Sequence, residues 1–392
     1  MHIAELTELQ FKNYSNLHTK KNFKQSIEYA QLKEVMKGYK KFYLALVDER
    51  NNVHGATLIL EKKLTGKYKF GYVPSGFLIN FYNYSLLEIF TNELKTYLKK
   101  LNYIYVRTTP LINYQVYNSD FILKENNSAI INSFKKLGYN YLPNTSKYKM
   151  VLQSNNIKDA YSHFKRSLKR NINDCLKKGI TVHQGKKEDI PSFIHLIEKQ
   201  DYFTKMEEIF NNPQNNFEFY YAKINPDIYI NNYRYLLKQE EAKNEMLNNK
   251  LKNPNIKKTN NLLSKKMTSD RLVTKYHNEI INGTNIYKNY PHGIIIGVVG
   301  IISNKREIAF VTEGFENKFK HIRATTMIKW EIIKRHINNG YQIFDLGNIS
   351  ISNVYNTKNG FNGNIIEFSN TFDLVINEMF YKLYNYAKKD VK

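Results

Sequence analysis

The 392-residue sequence holds one cysteine, Cys175, and one tryptophan, Trp330. A single cysteine excludes an intramolecular disulfide and any zinc site built from several cysteines, and it suits a reducing compartment. Cys175 falls on the apolar spacing of a predicted helix and reads as core. Acidic side chains are scarce: 35 Asp and Glu stand against 59 Lys and Arg, a formal charge of +24. Such an excess points to a polyanionic partner: nucleic acid, an anionic membrane surface or a phosphorylated substrate. Part of the lysine excess accompanies abundant Asn, Ile, Tyr and Phe, as in AT-rich coding sequences. Only nine of the basic residues are arginine, which favours diffuse attraction to phosphates over bidentate reading of bases. Long hydrophobic runs are missing too. The longest, Gly293–Ser303, has about eleven residues, against the roughly 20 needed to span a bilayer. Met1–Lys12 carries acids and no apolar stretch of signal-peptide length. The expectation is a cytoplasmic protein, with peripheral contact to the inner membrane face left open. Gly-x-Ser-x-Gly, His-Glu-x-x-His and the P-loop are all absent, and neither a metal nor a cofactor is expected.

What is present is enough for a packed core: 42% of residues are apolar and 24% charged. At about 100–200 residues per domain the length predicts two domains. Residues 42–47 and 53–61 alternate or run apolar around a polar turn and predict a β-hairpin, with a further strand at 67–73. Ser85-Leu-Leu-Glu88 has the form of a capping box, followed by Leu86, Phe90, Leu94, Leu98 and Leu101 at helical spacing. Strand 103–108 and a helix over 128–137, ending at Gly138, complete the first half. The order recurs in the second half, with a hairpin of 293–303 and 307–315, a helix over 323–338 and a strand over 342–347. Lys136-Leu-Gly138-Tyr139 and Lys358-Asn-Gly360-Phe361 occupy matching places. Two similar α+β domains are more economical than one large sheet. Between them a basic helix, Phe164–Leu176, places Phe164, Leu168, Ile172 and Cys175/Leu176 on one face, before a strand at 180–184. Residues 229–282 lack strand signals and predict an αα-hairpin turning at Asn253-Pro254-Asn255. This arm is a polar coiled coil with patchy heptads, open to a packing or dimerisation role (homo- or heterodimer) or to RNA phosphates.

Five segments, in this order, resemble the Fem family (FemABX type) of peptidoglycan bridge-forming aminoacyltransferases. They are Gln25-Ser26-Ile-Glu-Tyr29-Ala-Gln-Leu-Lys33, Arg170-Asn-Ile172 with its Gly179-Ile-Thr-Val182 continuation, the arm, Thr326–Trp330 with Gly340–Ser350, and Tyr355–Gly363 with Glu367 and Phe372-Asp373. The resemblance implies tandem acyltransferase (GNAT-like) domains. The first covers 1–152 plus a returning tail at 370–392, on the acceptor side. The second covers 153–369, with the arm, 228–282, inserted in it. It also implies a tRNA-dependent transfer from aminoacyl-tRNA to an amine of a peptidoglycan precursor, a lipid-linked or nucleotide-linked muropeptide. By the same resemblance Lys358 is the catalytic cation near the donor carbonyl, with Phe361 beside it on the substrate side. Lys33 meets the acceptor's diphosphate, and Tyr220 or Tyr221 falls near an acceptor-binding tyrosine. On the arm, Lys250, Lys252, Lys257, Lys258, Lys265 and Lys266 are the candidate tRNA contacts. Two departures stand out. Thr109, in Thr108-Thr109-Pro110, replaces an aspartate, and Phe217–Tyr221 lacks the arginine that precedes the acceptor-binding tyrosine.

The residue chemistry agrees with such a transfer. Aminolysis of an activated ester needs a neutral amine, a partner for the developing oxyanion and a proton for the leaving oxygen, but no covalent nucleophile. An acetyl-CoA enzyme of this fold cradles pyrophosphate on a glycine-rich turn at a helix start. Lys320-His-Ile-Arg323-Ala-Thr325 and Phe81-Tyr-Asn-Tyr-Ser85 contain no glycine, which disfavours acyl-CoA. Two alternatives stay open: the same fold acting on another acceptor, and a non-catalytic basic RNA-binding protein.

Overall fold

The computed structural model describes residues 1–19, 21–142, 148–212, 215–253, 260–349 and 360–389. The chain opens with β1 (His2–Glu5), α1 (Glu8–Leu17) and α2 (Ile27–Lys37), then β2 (Lys40–Val47), β3 (Val53–Thr65) and β4 (Tyr68–Pro74). Helix α3 (Tyr84–Lys100) leads to β5 (Tyr103–Thr109), the hairpin β6 (Asn113–Tyr117) and β7 (Leu123–Asn126), α4 (Ser128–Lys136), β8 (Tyr139–Leu142) and β9 (Tyr148–Gln153). The second half contains α5 (Ile157–His163), α6 (Arg166–Lys177), β10 (Ile180–Gln184), α7 (Ile190–Phe193), α8 (Gln200–Phe210), β11 (Asn211–Asn212) and β12 (Asn215–Ile224). The long pair α9 (Pro226–Lys252) and α10 (Asn260–Asn289) follows, then β13 (Ile294–Asn304), β14 (Glu307–Phe315), α11 (Ala324–Asn338) and β15 (Ile343–Ile349). The chain finishes with β16 (Asn364–Phe368), β17 (Thr371–Val375) and α12 (Glu378–Lys389).

The strands form two sheets. The first runs β1-β2-β3-β4-β5-β17-β8; the second runs β10-β12-β13-β14-β15-β9-β16-β6-β7, with β11 beside β12. Each sheet has one parallel pair, β4–β5 in the first and β14–β15 in the second. The halves exchange strands: β6, β7 and β9 pair in the second sheet, whereas β17, near the chain's end, inserts between β5 and β8 of the first. A buried ion pair fixes β17. Arg107 Nε and Nη2 each donate to Asp373 at 2.8 Å, and Tyr381 Oη of α12 donates to the same carboxylate at 2.8 Å.

Local chemistry explains the elements. Helix α3 buries Leu87, Phe90, Leu94 and Leu98 on its sheet-facing side, each contributing about 1.5–3 kcal/mol. Its cap is Asn83, whose Oδ1 accepts from Leu86 N at 3.1 Å, and not the box expected at Ser85. The helix therefore starts two residues earlier, and Leu87 rather than Leu86 is fully buried. Helix α6 begins after Phe164, with Leu168, Ile172 and Cys175 buried; Leu176, expected on that face, is 50% exposed. Gly179 ends it at φ +64, where a Cβ would lie 2.6 Å from Asn225 O. The arm is the expected antiparallel hairpin, longer than its sequence signal at both ends.

One core packs each sheet against its helix, and a third joins the halves. Phe11, Tyr29, Leu32, Tyr43, Leu58 and Leu78 interleave there with Phe193, Phe203, Met206, Phe217, Phe219 and Val298. The core of the seam between halves is thus apolar, of the kind that resists relative motion of the two sheets. Among the described residues, no helix is long and apolar enough to cross a membrane.

Candidate active site

The two parallel pairs differ where substrates enter such sheets, at the carboxyl ends of the strands. After one irregularity at Lys69, strands β4 and β5 stay in register from Phe70↔Tyr105 to Pro74↔Thr109. Beyond that, Ser75 N donates to Thr109 Oγ1 at 3.2 Å and Thr108 Oγ1 to Gly76 O at 3.0 Å, so the first pair is stapled shut. Strands β14 and β15 pair only at Glu307↔Ile343, Ile308↔Phe344 and Ala309↔Asp345. They then part: β14 continues along β13 to Phe315, and β15 along β9 to Ile349. Both outer ladders bulge at the parting, opposite Gly300/Ile301 and after Asp345. The two strands diverge from there and leave a V-shaped slot in the second sheet.

Three charged side chains sit at the root of this slot. Asp345, 7% exposed, accepts from Gly347 N at 2.9 Å on Oδ1 and takes the Lys149 ammonium on Oδ2. Burial, and next the Asp345 charge, push the Glu307 carboxyl up to about 7, with Lys149 pulling the other way.

Lys358 and Tyr355 lie outside the described residues, as do Lys257 and Lys258 of the arm. The chain is described again from Gly360, whose carbonyl accepts from Lys165 N at 2.9 Å at the head of α6. Phe361, expected on the substrate side, is 2% exposed and packs edge-on against Phe164 at 5.2 Å, within the core of the second half.

Lys33, on α2, lies at the seam between the halves. Its Nζ is 5.0 Å from the Tyr29 ring centroid and 5.5 Å from that of Tyr202 on α8. Among the described residues no carboxylate reaches it. Burial first, then Lys37 and Lys199, lower its pKa. A half-buried ammonium held between two rings and repelled by two further cations is an unsatisfied anion site.

Tyr220 and Tyr221 are not brought together, because neighbours on a strand face opposite ways. Tyr221 stacks on His183 at 5.4 Å, towards the seam. Tyr220, 2% exposed, donates through Oη to Glu218 Oε2 at 2.6 Å, and Arg335 lies 5.5 Å from its ring. Glu218 anchors a polar cluster that no motif announced. It also accepts from Asn216 Nδ2 at 3.2 Å and Gln184 Nε2 at 3.1 Å, and faces His336 Nε2 at 3.7 Å. His336 Nδ1 donates to Ile332 O at 2.8 Å. Glu218 borders a cleft of about 440 Å³ together with Lys186, Lys187 and Glu207.

At the helix starts that would cradle a pyrophosphate in an acyl-CoA enzyme, part of the backbone N–H set is already bonded within the chain. Before α11, Arg323 N donates to Lys320 O and Thr326 N to Arg323 O, at 3.2 and 3.0 Å. Before α3, Tyr82 N donates to Asn80 Oδ1 and Leu86 N to Asn83 Oδ1, both at 3.1 Å.

On the arm, Lys250, Lys252 and Lys265 are exposed, whereas Lys266 pairs with Asp270. The arm's root is pinned: Lys178 Nζ donates to Glu279 Oε2 at 3.0 Å and to Tyr229 Oη at 3.1 Å, and Tyr229 Oη donates to Glu279.

Comparison with known proteins agrees with this architecture. The chain is 25% identical to the aminoacyltransferase FemA of Staphylococcus epidermidis, with 99% of each chain aligned. It is 24% identical to FemA of Staphylococcus aureus over the same shares. The crystal structure of FemX superposes with a TM-score of 0.72 at 16% identity, covering 98% of this chain and 99% of the other, so the tandem GNAT-like fold is shared. A model of the FemAB family matches residues 6–389, and the chain belongs to that family.

Proposed function

We propose that this chain is a tRNA-dependent aminoacyltransferase that moves an amino acid from aminoacyl-tRNA to an amine of a peptidoglycan precursor, a lipid-linked or nucleotide-linked muropeptide. The observation that carries the reading is the asymmetry of the two parallel strand pairs. Among the described residues, only the second sheet's parallel pair parts after three residue pairs to leave a slot, and the turn before α11 beside it, Lys320–Thr325, has no glycine to bring backbone amides against a CoA pyrophosphate. An acyl group enters that slot on a carrier other than CoA, and a chain of formal charge +24 suits an RNA carrier. Lys33, at the seam, supplies a compact cation for the diphosphate of the acceptor. Lys358 is the proposed oxyanion partner, stabilising negative charge as the amine attacks the ester carbonyl. The amine loses its proton, the ribose oxygen leaves with one, and no covalent enzyme intermediate is required.

The test offers bulk tRNA charged with labelled amino acids to purified protein, with lipid-linked and nucleotide-linked muropeptides in separate reactions. Label on a muropeptide is the expected result and identifies both substrates. Bound tRNA without transfer to either acceptor refutes the proposed reaction.

A second reading changes only the acceptor. Its basis is Thr109, whose hydroxyl is occupied by Ser75 N and so offers no carboxylate to an acceptor amine. Transfer to another amine, gained for muropeptides in Thr109→Asp, is the outcome that favours it.

A further inference from the structure

Helix α6 presents two unlike faces. Leu168, Ile172 and Cys175 are buried, and the Cys175 thiol donates to Ile322 O at 3.2 Å. On the opposite face Arg166, Arg170, Asn173 and Lys177 follow at intervals of four, three and four residues, a single stripe. Adjacent members lie about 6 Å apart. The helix carries four basic side chains against one acid in 12 residues; α10 of the arm reaches the same net +3 only over 30. Among the described residues, no carboxylate pairs with Arg166, Arg170 or Lys177, although Asp174 follows Arg170 by one turn. The arm's cations, by contrast, are partly neutralised: Lys243 by Glu240 and Lys266 by Asp270.

The stripe is held rigidly and leads somewhere at each end. At its head, Lys165 N is bonded to Gly360 O, where the chain emerges from the segment containing Lys358. At its foot, Asn232 Nδ2 caps the carbonyls of Leu176 and Lys177 at 3.2 Å each. Just beyond lies a cleft of about 310 Å³ whose lining is mixed: Lys178, Lys318 and three asparagines of α10 supply polar groups, and Ile286, Tyr290 and Phe319 apolar ones. At about 1.5 Å per residue, α6 bridges roughly 18 Å between the two.

We infer that the exposed stripe of α6 is the track that grips the phosphate backbone of the donor RNA near its acylated end. Arg166, Arg170 and Lys177 contact successive phosphates, and the cleft at the arm's root receives the next phosphate or ribose. This rests on an aminoacyl-tRNA being the donor. The partner is chosen by chemistry. Unpaired guanidinium and ammonium groups spaced along a fixed, straight helix fit a regularly charged polyanion, and the cleft sets the cations Lys178 and Lys318 beside three asparagines and the rings of Tyr290 and Phe319, groups that suit a phosphate and its ribose.

The experiment measures binding of bulk tRNA to the full chain by fluorescence anisotropy across a salt series. Arg166→Ala/Arg170→Ala removes two phosphate contacts. The expected loss is roughly 30-fold at about 0.15 M salt, and the salt slope falls by about two. Arg166→Lys/Arg170→Lys keeps most of the affinity, and binding of a nucleotide-linked muropeptide stays at the wild-type level in both variants. Lys250→Ala/Lys252→Ala/Lys265→Ala, at the far end of the arm, leaves the slope nearly unchanged. Wild-type affinity and slope in the Arg166/Arg170 double variant overturn the inference while leaving the aminoacyl-tRNA reading intact. Failure of the wild-type chain to bind tRNA overturns both. A double variant that keeps tRNA but loses phosphatidylglycerol vesicles makes the stripe a membrane surface and also overturns it. Both side chains are exposed and unpaired, so an unchanged melting temperature verifies that the variant is folded.

Discussion

Replacing Lys33 by Met separates binding from stability, because the two should move in opposite directions. The side chain is half-buried, its ammonium is 5.0 and 5.5 Å from two ring centroids, and its pKa is lowered by burial, Lys37 and Lys199. A lysine whose folded pKa lies below its ordinary 10.5 makes the charged form costly to the fold. That cost is present at neutral pH and vanishes once the free amine is also neutral, above about 10.5. Met retains the aliphatic stem that packs on Tyr29 and Tyr202, so the change isolates the charge. The melting temperature at pH 7 should hold or rise, and the difference from wild type should shrink towards pH 10.5. Binding should weaken. A charge-assisted hydrogen bond to phosphate contributes about 1.5–3 kcal/mol, so the acceptor's Kd should rise roughly 10- to 150-fold. Calorimetric titration with a nucleotide-linked muropeptide measures the second effect and differential scanning calorimetry the first. A Kd within twofold of wild type, or a melting temperature several degrees lower, refutes the reasoning.

Three further outcomes follow from the charge arrangement. Burial and the Asp345 charge raise the Glu307 pKa to about 7 in the fold against an ordinary 4.5, so the fold loses stability as pH rises through that window; Glu307→Gln should raise unfolding free energy by about 3 kcal/mol at pH 8 and leave it unchanged at pH 4, as read by urea titration. Asp373→Ala leaves Arg107 without its carboxylate and Tyr381 without its acceptor; a loss of about 3 kcal/mol is expected by the same titration, with Asp373→Asn losing less. Hydrogen bonds from Tyr229 and Lys178 outweigh burial and hold Glu279 below its ordinary 4.5, so the stability it confers is present above that value and lost as pH falls; hydrogen exchange over residues 226–289 should quicken on acidification, and Glu279→Gln should abolish that dependence.

The sequence was most informative where the physics is local. Period-two runs identified the hairpins at 42–61 and 293–315, and helical spacing identified α3, α11 and the arm, because each pattern is set by which face its own residues bury. Boundaries slipped where two caps competed, as Asn83 did with Ser85. The return of residues 370–392 to the first half was legible only through the family resemblance: no local pattern tells β17 to pair with β5, 266 residues away in the Arg107–Asp373 pair, or sends β6, β7 and β9 to the second sheet. The candidate site divides in the same way. Lys33 could be found because it sits in one motif on one helix. The Glu307–Asp345–Lys149 and Glu218–His336 clusters draw on separate elements, and only the folded register brings them together. The closed state of the first strand pair depends on the Thr109 hydroxyl, which as sequence looked like a missing aspartate.

The insertion of β17 between β5 and β8 bears on how the chain is made. Translation delivers β5 and β8 early, yet the strand that must lie between them comes almost last. About 260 residues separate β5 from β17, roughly 13–50 s of synthesis at about 5–20 residues per second. Throughout that interval a nascent chain carries two unsatisfied strand edges, each a template for pairing with a neighbour on the same messenger. A ribosome that stalls after β15 releases a product whose second sheet lacks only β16 and whose first has a gap. Trigger-type chaperones and proteases would recognise such a product by that gap, and a C-terminal tag that delays closure would cost yield before it cost activity.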